Sequence, residues 1–405
     1  MFSREVRVTL RPLRPQDYDD LYKVVAIREG GFFERFQGRT PSPEDFVRNL
    51  WAKVLVQLIA EKRGQAISLL VASSMSPLDG TVQVAWFPLN SGSSRDQVDA
   101  LEQFVGYLFE TWSFRKVYAD VSEQGRDKLV ALPGIGALFR QEGCLQQHEF
   151  YDGEYRERFI LALFRSDWRA YESNRASARD LSGGKDDSHL DAALGGEISL
   201  PYKSQSLRVG VLSEAETFSP RSTAAPMLPS LAGRRVALRP ITERDYAFLM
   251  ALATDERVGY RWLFRGETPS PEQFLTRLWQ DVLVQFVVCR TADGTAIGHV
   301  ILTRANFRDG TGVVSVVVDP QLAGVGFGLE ASDLFFNYVF RMFNFHKLYG
   351  ETVEFNLQQF ASGLKGLLHE EARLREHHFC DGRYWDYMIV AVYRDEWEAA
   401  AITKL

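Results

Sequence analysis

The sequence predicts an α+β protein made of two homologous domains, each a mixed and mostly antiparallel sheet flanked by helices. Three observations carry this. Long stretches of the chain occur twice at a nearly constant offset. Within a copy, β-branched strands bounded by Asp-Gly turns follow one another as a meander. A helix of 3.6-residue periodicity then links the last of them to a further strand, which suggests one parallel crossover inside the antiparallel sheet.

The repeat is long. Val8-Thr9-Leu10-Arg11-Pro12 returns as Val236-Ala237-Leu238-Arg239-Pro240, 228 positions later (238 minus 10). The register holds through FQGRTPSPEDFVRNLWAKVLVQ from Phe36 against FRGETPSPEQFLTRLWQDVLVQ from Phe264. It then drifts slightly across loops: Gly64 answers to Gly294, Tyr107 to Tyr338, and FYDGEY from Phe150 to FCDGRY from Phe379. Both copies close on an aromatic strand, an acid and a tryptophan, at Trp168 and Trp397. The domains therefore span about 5–168 and 233–397, and so long a period means duplication of a domain and not a solenoid. Residues 169–232, rich in Ser, Ala, Gly, Asp and Pro, read as a linker, with SLRVGVL from Ser206 as one candidate edge strand.

The elements of the second copy follow in order. RVALRPI alternates as a strand and ERDYAFLMALATD has helical spacing. Ser270, Pro271 and Gln273 form a capping-box start for a helix carrying Phe274, Leu278 and Trp279. LVQFVVCR, TAIGHVILTR and TGVVSVVVD are the meander. Leu334, Phe335, Tyr338, Met342 and Phe343 line one face of the next helix. HKLYGETV is a strand, NLQQFASGLKGLL a helix, and two strands around DGRY finish the domain. The predicted order is β α α β β β α β α β β.

Composition narrows the class. At 45% hydrophobic and 25% charged residues, with a net charge of −6, the 405-residue chain is ordinary for a soluble protein and lacks the basic surface of a nucleic-acid binder. Cys144, Cys289 and Cys380 fit neither a disulfide framework nor a zinc spacing, and read as reduced thiols. No leader is recognisable and no apolar run approaches the roughly 18 residues of a membrane helix, so the expectation is a cytoplasmic protein with no membrane or DNA partner. His377 and His378, adjacent in a strand, face opposite ways and make no metal site.

The most informative stretch is DPQLAGVGFGLEA, residues 319–331, between a strand and a helix. Such a junction presents unpaired backbone N–H groups at the positive end of the helix dipole, and glycines there let an anion approach closely. The spacing is neither the dinucleotide fingerprint nor a Walker loop. Its context is an apolar strand, Asp319-Pro320, Gln-x-x-Gly-x-Gly, an amphipathic helix, and a strand leading to Asn356.

In that context the second domain resembles the GNAT N-acetyltransferase family, and within it the branch containing the ribosomal-protein alanine acetyltransferases. LRPITERD, VEFN, LREH with DGRYWDY, and the terminal DEW carry the resemblance over nearly all of 233–397, and the first domain inherits it through the repeat. It implies two GNAT folds packed as a pseudo-dimer, a functional monomer, and acetyl-CoA or another acyl-CoA as cofactor. Gln321, Gly324, Val325, Gly326 and Gly328 would hold the pyrophosphate, main-chain groups of Val316 and Val318 the pantetheine arm, and Asn356 the pantetheine or acyl region. The first domain has PLNSGSSRDQVDALE from Pro88 in the place of the glycine loop, and reads as a copy that has lost the cofactor.

Two catalytic groups common in relatives are missing. The strand before the loop carries no Glu, and Gly363 stands where a Tyr is usual. Glu354, Glu351, Ser362 and His299 are the substitutes; Glu354 and Ser362 are taken as catalytic, with strand alternation placing Glu354 and Asn356 on one face. Tyr260, Trp262, Phe264 and Arg265, with Arg261, form a candidate acceptor pocket, or alternatively seal the interdomain core. The function expected is acyl transfer from acyl-CoA to a primary amine of a small molecule, by direct attack in a ternary complex. The alternatives are a carrier-protein or aminoacyl-tRNA donor, or a non-catalytic CoA-binding protein.

Overall fold

The computed structural model describes residues 7–26, 41–89, 92–181, 231–260, 262–361 and 366–403. The chain divides into two compact units, one of Met1–Trp168 with Pro229–Leu405 and one of Arg169–Leu228. The described part of the second unit is helical as far as Leu181, and SLRVGVL lies outside the described residues.

In the first unit the amino-terminal half runs β1 (Thr9–Pro12), α1 (Asp17–Ala26), α2 (Pro43–Leu50), β2 (Val54–Lys62), β3 (Gln65–Ser76), β4 (Thr81–Pro88), α3 (Ser94–Thr111), β5 (Lys116–Ser122), α4 (Glu123–Val130), β6 (Arg140–Tyr151), β7 (Glu154–Phe164) and α5 (Arg165–Leu181). The carboxy-terminal half runs β8 (Val236–Arg239), α6 (Tyr246–Thr254), α7 (Glu256–Gly259), α8 (Pro271–Leu278), β9 (Val282–Arg290), β10 (Ala296–Asn306), β11 (Thr311–Val318), α9 (Phe327–Met342), β12 (Lys347–Val353), α10 (Glu354–Ala361), β13 (His369–Cys380), β14 (Arg383–Tyr393) and α11 (Arg394–Thr403). The expected order is present, with the short α7 and the closing α11 added. The capping box at α8 forms as the sequence predicts: Ser270 accepts from the Gln273 N–H and Gln273 reaches back to the Ser270 N–H.

Among the described residues 14 strands join in one sheet of order β1-β2-β3-β4-β5-β7-β6-β13-β14-β12-β11-β10-β9-β8, the second half mirroring the first. In the carboxy-terminal half α9 and α11 cover one face, packing Phe335, Val339, Phe340 and Trp397 on Val300, Leu302, Val314 and Leu348. Helices α6 to α8 cover the other, with Leu249, Leu252, Phe274 and Leu278 on Val287 and Val317.

The seam between halves is narrow in backbone and rich in buried side chains. A single register pair, Gly143 with Ala372, joins β6 to β13, and a Cβ on Gly143 would lie 2.4 Å from the Ala372 Cβ. Around it the contacts come in matched pairs, as at an isologous interface. Lys116 Nζ donates to Glu142 at 2.6 Å and to the Arg375 carbonyl at 2.7 Å. Its counterpart Lys347 donates to Glu371 at 3.0 Å and to the Gln146 carbonyl. His148 meets the Tyr349 hydroxyl at 2.8 Å, and His377 the Tyr118 hydroxyl at 3.0 Å. Burial holds both imidazoles down at about 4, so they are neutral hydrogen-bonding links.

Candidate active site

The crossover strands β11 and β12 pair only from Thr311 with Lys347 to Val314 with Gly350, and then part. Beyond that point β11 is held on one side alone, by β10 as far as Gly298 with Val318. The Asp319 N–H donates to Ile297 on the β10 side. Since successive peptide groups of a strand alternate in direction, Val316 and Val318 turn theirs the other way, into the opening. Both halves of the unit have this opening: β4 and β5 also pair over four residues, ending at Val84 with Ala119.

The opening leads to the start of α9. Asp319 accepts from the Gln321 N–H at 2.9 Å and sets a turn over Pro320–Leu322. Gly324 and Gly326 then take φ of +81° and +87°, a left-handed conformation that costs an L-residue roughly 1–2 kcal/mol. Gly326 is the N-cap of α9, and no side chain caps the helix. A Cβ at Gly324 would meet open space, whereas one at Gly326 would meet the Arg235 guanidinium at 2.9 Å. Gly328, in the first turn, lies against Val318, to whose side chain its own Cβ would come within 3.6 Å. An anion with a narrow approach fits here, where bare N–H groups, a helix dipole and a cation converge.

That cation, Arg235, has no obvious sequence signal. It donates to the Val325 carbonyl at 2.8 Å and to Glu330 at 3.1 Å, while its own N–H donates to Glu330 at 2.7 Å. Burial would raise the Glu330 carboxyl, but these bonds outweigh it and hold the group below its usual range.

The matching end of the amino-terminal half is closed. By register Pro88 stands where Val318 does, and proline has no N–H to offer. Helix α3 is capped by the Ser93 hydroxyl, which accepts from the Asp96 N–H at 3.2 Å, and the Asp96 carboxylate adds negative charge to that turn. Lys62 neutralises Asp96 at 2.5 Å. Gln97 fills the remaining gap, accepting from the Trp86 indole at 3.0 Å and lying where a Cβ on Gly92 would point.

On the α6–α8 side of the opening, the structure sorts the expected acceptor residues. The Tyr260 hydroxyl lies 3.4 Å from the Asn356 amide oxygen, bringing those two together. Its ring is 5.7 Å from Phe355, which is 4.7 Å from Trp385, so an aromatic wall continues from it. Trp262 and Phe264 are instead core residues, 6% and 8% exposed, against His299 and Phe274; they present almost no surface to a ligand. Arg265 is committed to Asp79 of the other half, at 2.6 and 2.7 Å. Trp262 and Phe264 therefore fill the core of the carboxy-terminal half itself and not a core between the halves, while Arg265 is the one of the three that reaches the other half.

The catalytic substitutes are also placed differently. Strand β12 ends at Val353 and Glu354 opens α10, so Glu354 and Asn356 are two residues apart on a helix and point away from each other. The expectation of a shared face failed because the period changes from 2 to 3.6 at that residue. Glu354 takes the Arg373 guanidinium at 3.4 Å. Glu351 is paired with Arg304 at 2.5 Å. His299 is wholly buried, bonded to Gln285 at 2.8 Å, and pushed down by burial to about 3, a neutral core histidine. Ser362 and Arg261 lie outside the described residues. Among the described residues no group of three His, Cys, Asp or Glu could hold a metal ion, and no helix is long and apolar enough to cross a membrane.

A family model described as an acetyltransferase (GNAT) domain matches residues 235–361, which hold the opening, the glycine loop and Asn356. Residues 235–361 thus carry a GNAT acetyltransferase domain. Acetyltransferases with this domain use acetyl-CoA, and the start of α9 offers an uncapped helix end, with open space beside Gly324. No curated protein matches the chain significantly. Among solved structures, spermidine N-acetyltransferase from Vibrio cholerae in complex with CoA and spermine is 22% identical, covering 40% of this chain and 98% of that one at a TM-score of 0.37. A GNAT-family acetyltransferase from Bacillus anthracis is 15% identical, with 41% and 98% covered at a TM-score of 0.35.

Proposed function

We propose that the carboxy-terminal half transfers the acetyl group of acetyl-CoA to a primary amine of a small molecule, in a ternary complex, and that the amino-terminal half binds no cofactor. The observation that carries this is the parting of β11 and β12 at Val314, leading to a left-handed glycine pair at the uncapped start of α9.

Acetyl-CoA would supply a thioester whose carbonyl the neutral amine attacks; the C–N bond forms, the C–S bond breaks, and the proton that the amine gives up leaves with CoA as its thiol. The chain's part is to bind and orient. N–H groups at the start of α9, with Arg235, hold the pyrophosphate; Gln321, Val325 and Gly328 shape the loop around it. Main-chain groups of Val316 and Val318 continue the sheet onto the pantetheine arm, and the Val318 N–H is aimed at the oxygen that gains charge. The Asn356 amide and the Tyr260 hydroxyl border the acyl end, with Phe355 and Trp385 as an aromatic wall suited to a compact planar or apolar amine.

Calorimetric titration with acetyl-CoA tests the reading. One site per chain is expected, lost in Gly326→Glu. Two sites, or binding indifferent to Gly326→Glu, would refute it. Saturable binding without turnover on any primary amine would leave a CoA-binding protein instead.

A further inference from the structure

The loop that carries Tyr260 to Asn356 is held in an unusual way. Leu263 and Arg265 have φ of +46° and +49°, and neither is a glycine. Non-glycine residues in this region are kept there only when their surroundings over-determine the backbone. At one end His378 Nε2 bonds the Tyr260 carbonyl at 3.0 Å. At the other, the restraint comes from the amino-terminal half. Asp79, at the β3–β4 turn and 2% exposed, takes both Arg265 guanidinium nitrogens, at 2.6 and 2.7 Å. The same carboxylate accepts from the Ser76 hydroxyl at 2.6 Å and from the Phe379 N–H at 3.0 Å, so its position is itself fixed.

The repeat supplies an internal control. Asp309 is the counterpart of Asp79 and accepts from the Phe150 N–H at 3.0 Å, as Asp79 does from Phe379. Its other oxygen is bonded to Asn306, and Gln37 is the residue that the repeat aligns with Arg265. The contact to the β-hairpin is thus common to both halves; among the described residues the bidentate ion pair to the loop is made by Asp79, and the sequence offers Asp309 no arginine at the aligned position.

We infer that Asp79, from the half without a cofactor, is a positioning residue for amine acceptance in the other half: it fixes Arg265, and through it the loop that sets Tyr260 beside Asn356. The inference rests on the proposed acceptor role of that loop. It assigns the degenerate half a task in catalysis beyond shared packing.

The test uses the full chain, acetyl-CoA and 2-phenylethylamine as probe. Asp79→Asn is expected to raise the KM for the amine by about tenfold or more, the scale of a lost charged hydrogen bond, with acetyl-CoA affinity by calorimetry unchanged. Asp309→Asn is expected to leave the amine KM within about twofold, since it loosens only the shared hairpin contact. Arg265→Gln added to Asp79→Asn should bring little further loss. Equal effects of the two Asp variants on the amine KM, or an Asp79→Asn effect confined to acetyl-CoA, would overturn the assignment. If wild-type protein binds acetyl-CoA but does not acetylate this probe, amide hydrogen exchange across residues 259–268 decides: faster exchange in Asp79→Asn than in Asp309→Asn supports it, and equal exchange refutes it. If wild-type protein binds no acetyl-CoA, the proposed function falls, and the exchange measurement still judges the loop restraint by itself.

Discussion

Helices α3 and α9 occupy the same place in the two halves, each following a strand that parts from its parallel neighbour after four paired residues. One begins under a serine cap; the other begins at a left-handed glycine with no side-chain cap, and each has a first-turn acid paired with a basic residue, Asp96 with Lys62 and Glu330 with Arg235. The fold therefore makes the opening, and a handful of loop residues decide whether a ligand can use it. The seam shows the opposite pattern. There the lysine–glutamate, histidine–tyrosine and aspartate–amide contacts have been kept in both copies.

The comparison can be broken in several places, the seam first. Glu371→Leu strands the Lys347 ammonium in a fully buried site and should cost about 3–5 kcal/mol; Glu142→Leu should do the same to Lys116. Denaturant midpoints check this, and unequal losses would mean that the halves do not share the seam evenly. Next, Gly326→Glu sets a side chain at φ +87° and a negative charge in the anion cradle, so acetyl-CoA affinity should fall beyond about 1,000-fold, or about 4 kcal/mol. The reverse change, Ser93→Gly with Asp96→Ala, should create no second site, because Pro88 and Gln97 still obstruct it; calorimetry reads both. A sharper exchange is Val318→Pro, which gives β11 the residue that stands at the matching place of β4. It removes one N–H that β10 does not use, and should lower kcat by about 100-fold with a smaller effect on acetyl-CoA binding.

The smallest effect is one of pH. Burial pushes the Lys116 ammonium down to about 8 from 10.5, against the opposing pull of Glu142. Between those values the unfolded chain holds a proton that the folded chain has released, so this group makes stability rise with pH across that window. Because buried tyrosines and cysteines titrate in the opposite sense, the difference isolates the lysine: the unfolding free energy of the wild type minus that of Lys116→Met with Glu142→Leu should grow between pH of about 8 and about 10.

Much of this was legible in the sequence because it is local or repeated. Periodicity located the strands and helices, Ser270-Pro271-Gln273 announced α8, and the aligned copies exposed the contrast between the Pro88 and Gln321 loops. What escaped depends on partners far away in the chain. The change of period at Glu354 is invisible where a strand runs straight into a helix. Arg235 meets Glu330, and Arg265 meets Asp79, through folding alone. Trp262 and Phe264 carry no mark distinguishing a pocket wall from a core filling, and the sheet face beneath them decided it.

A symmetric dimer of one gene product must place each residue in both subunits, so a proline that silences one opening would silence its twin. Here Pro88 and Val318 occupy corresponding positions of a single polypeptide. Fusion has freed them to differ, and in the proposed function one copy serves as a mount while the other does the chemistry.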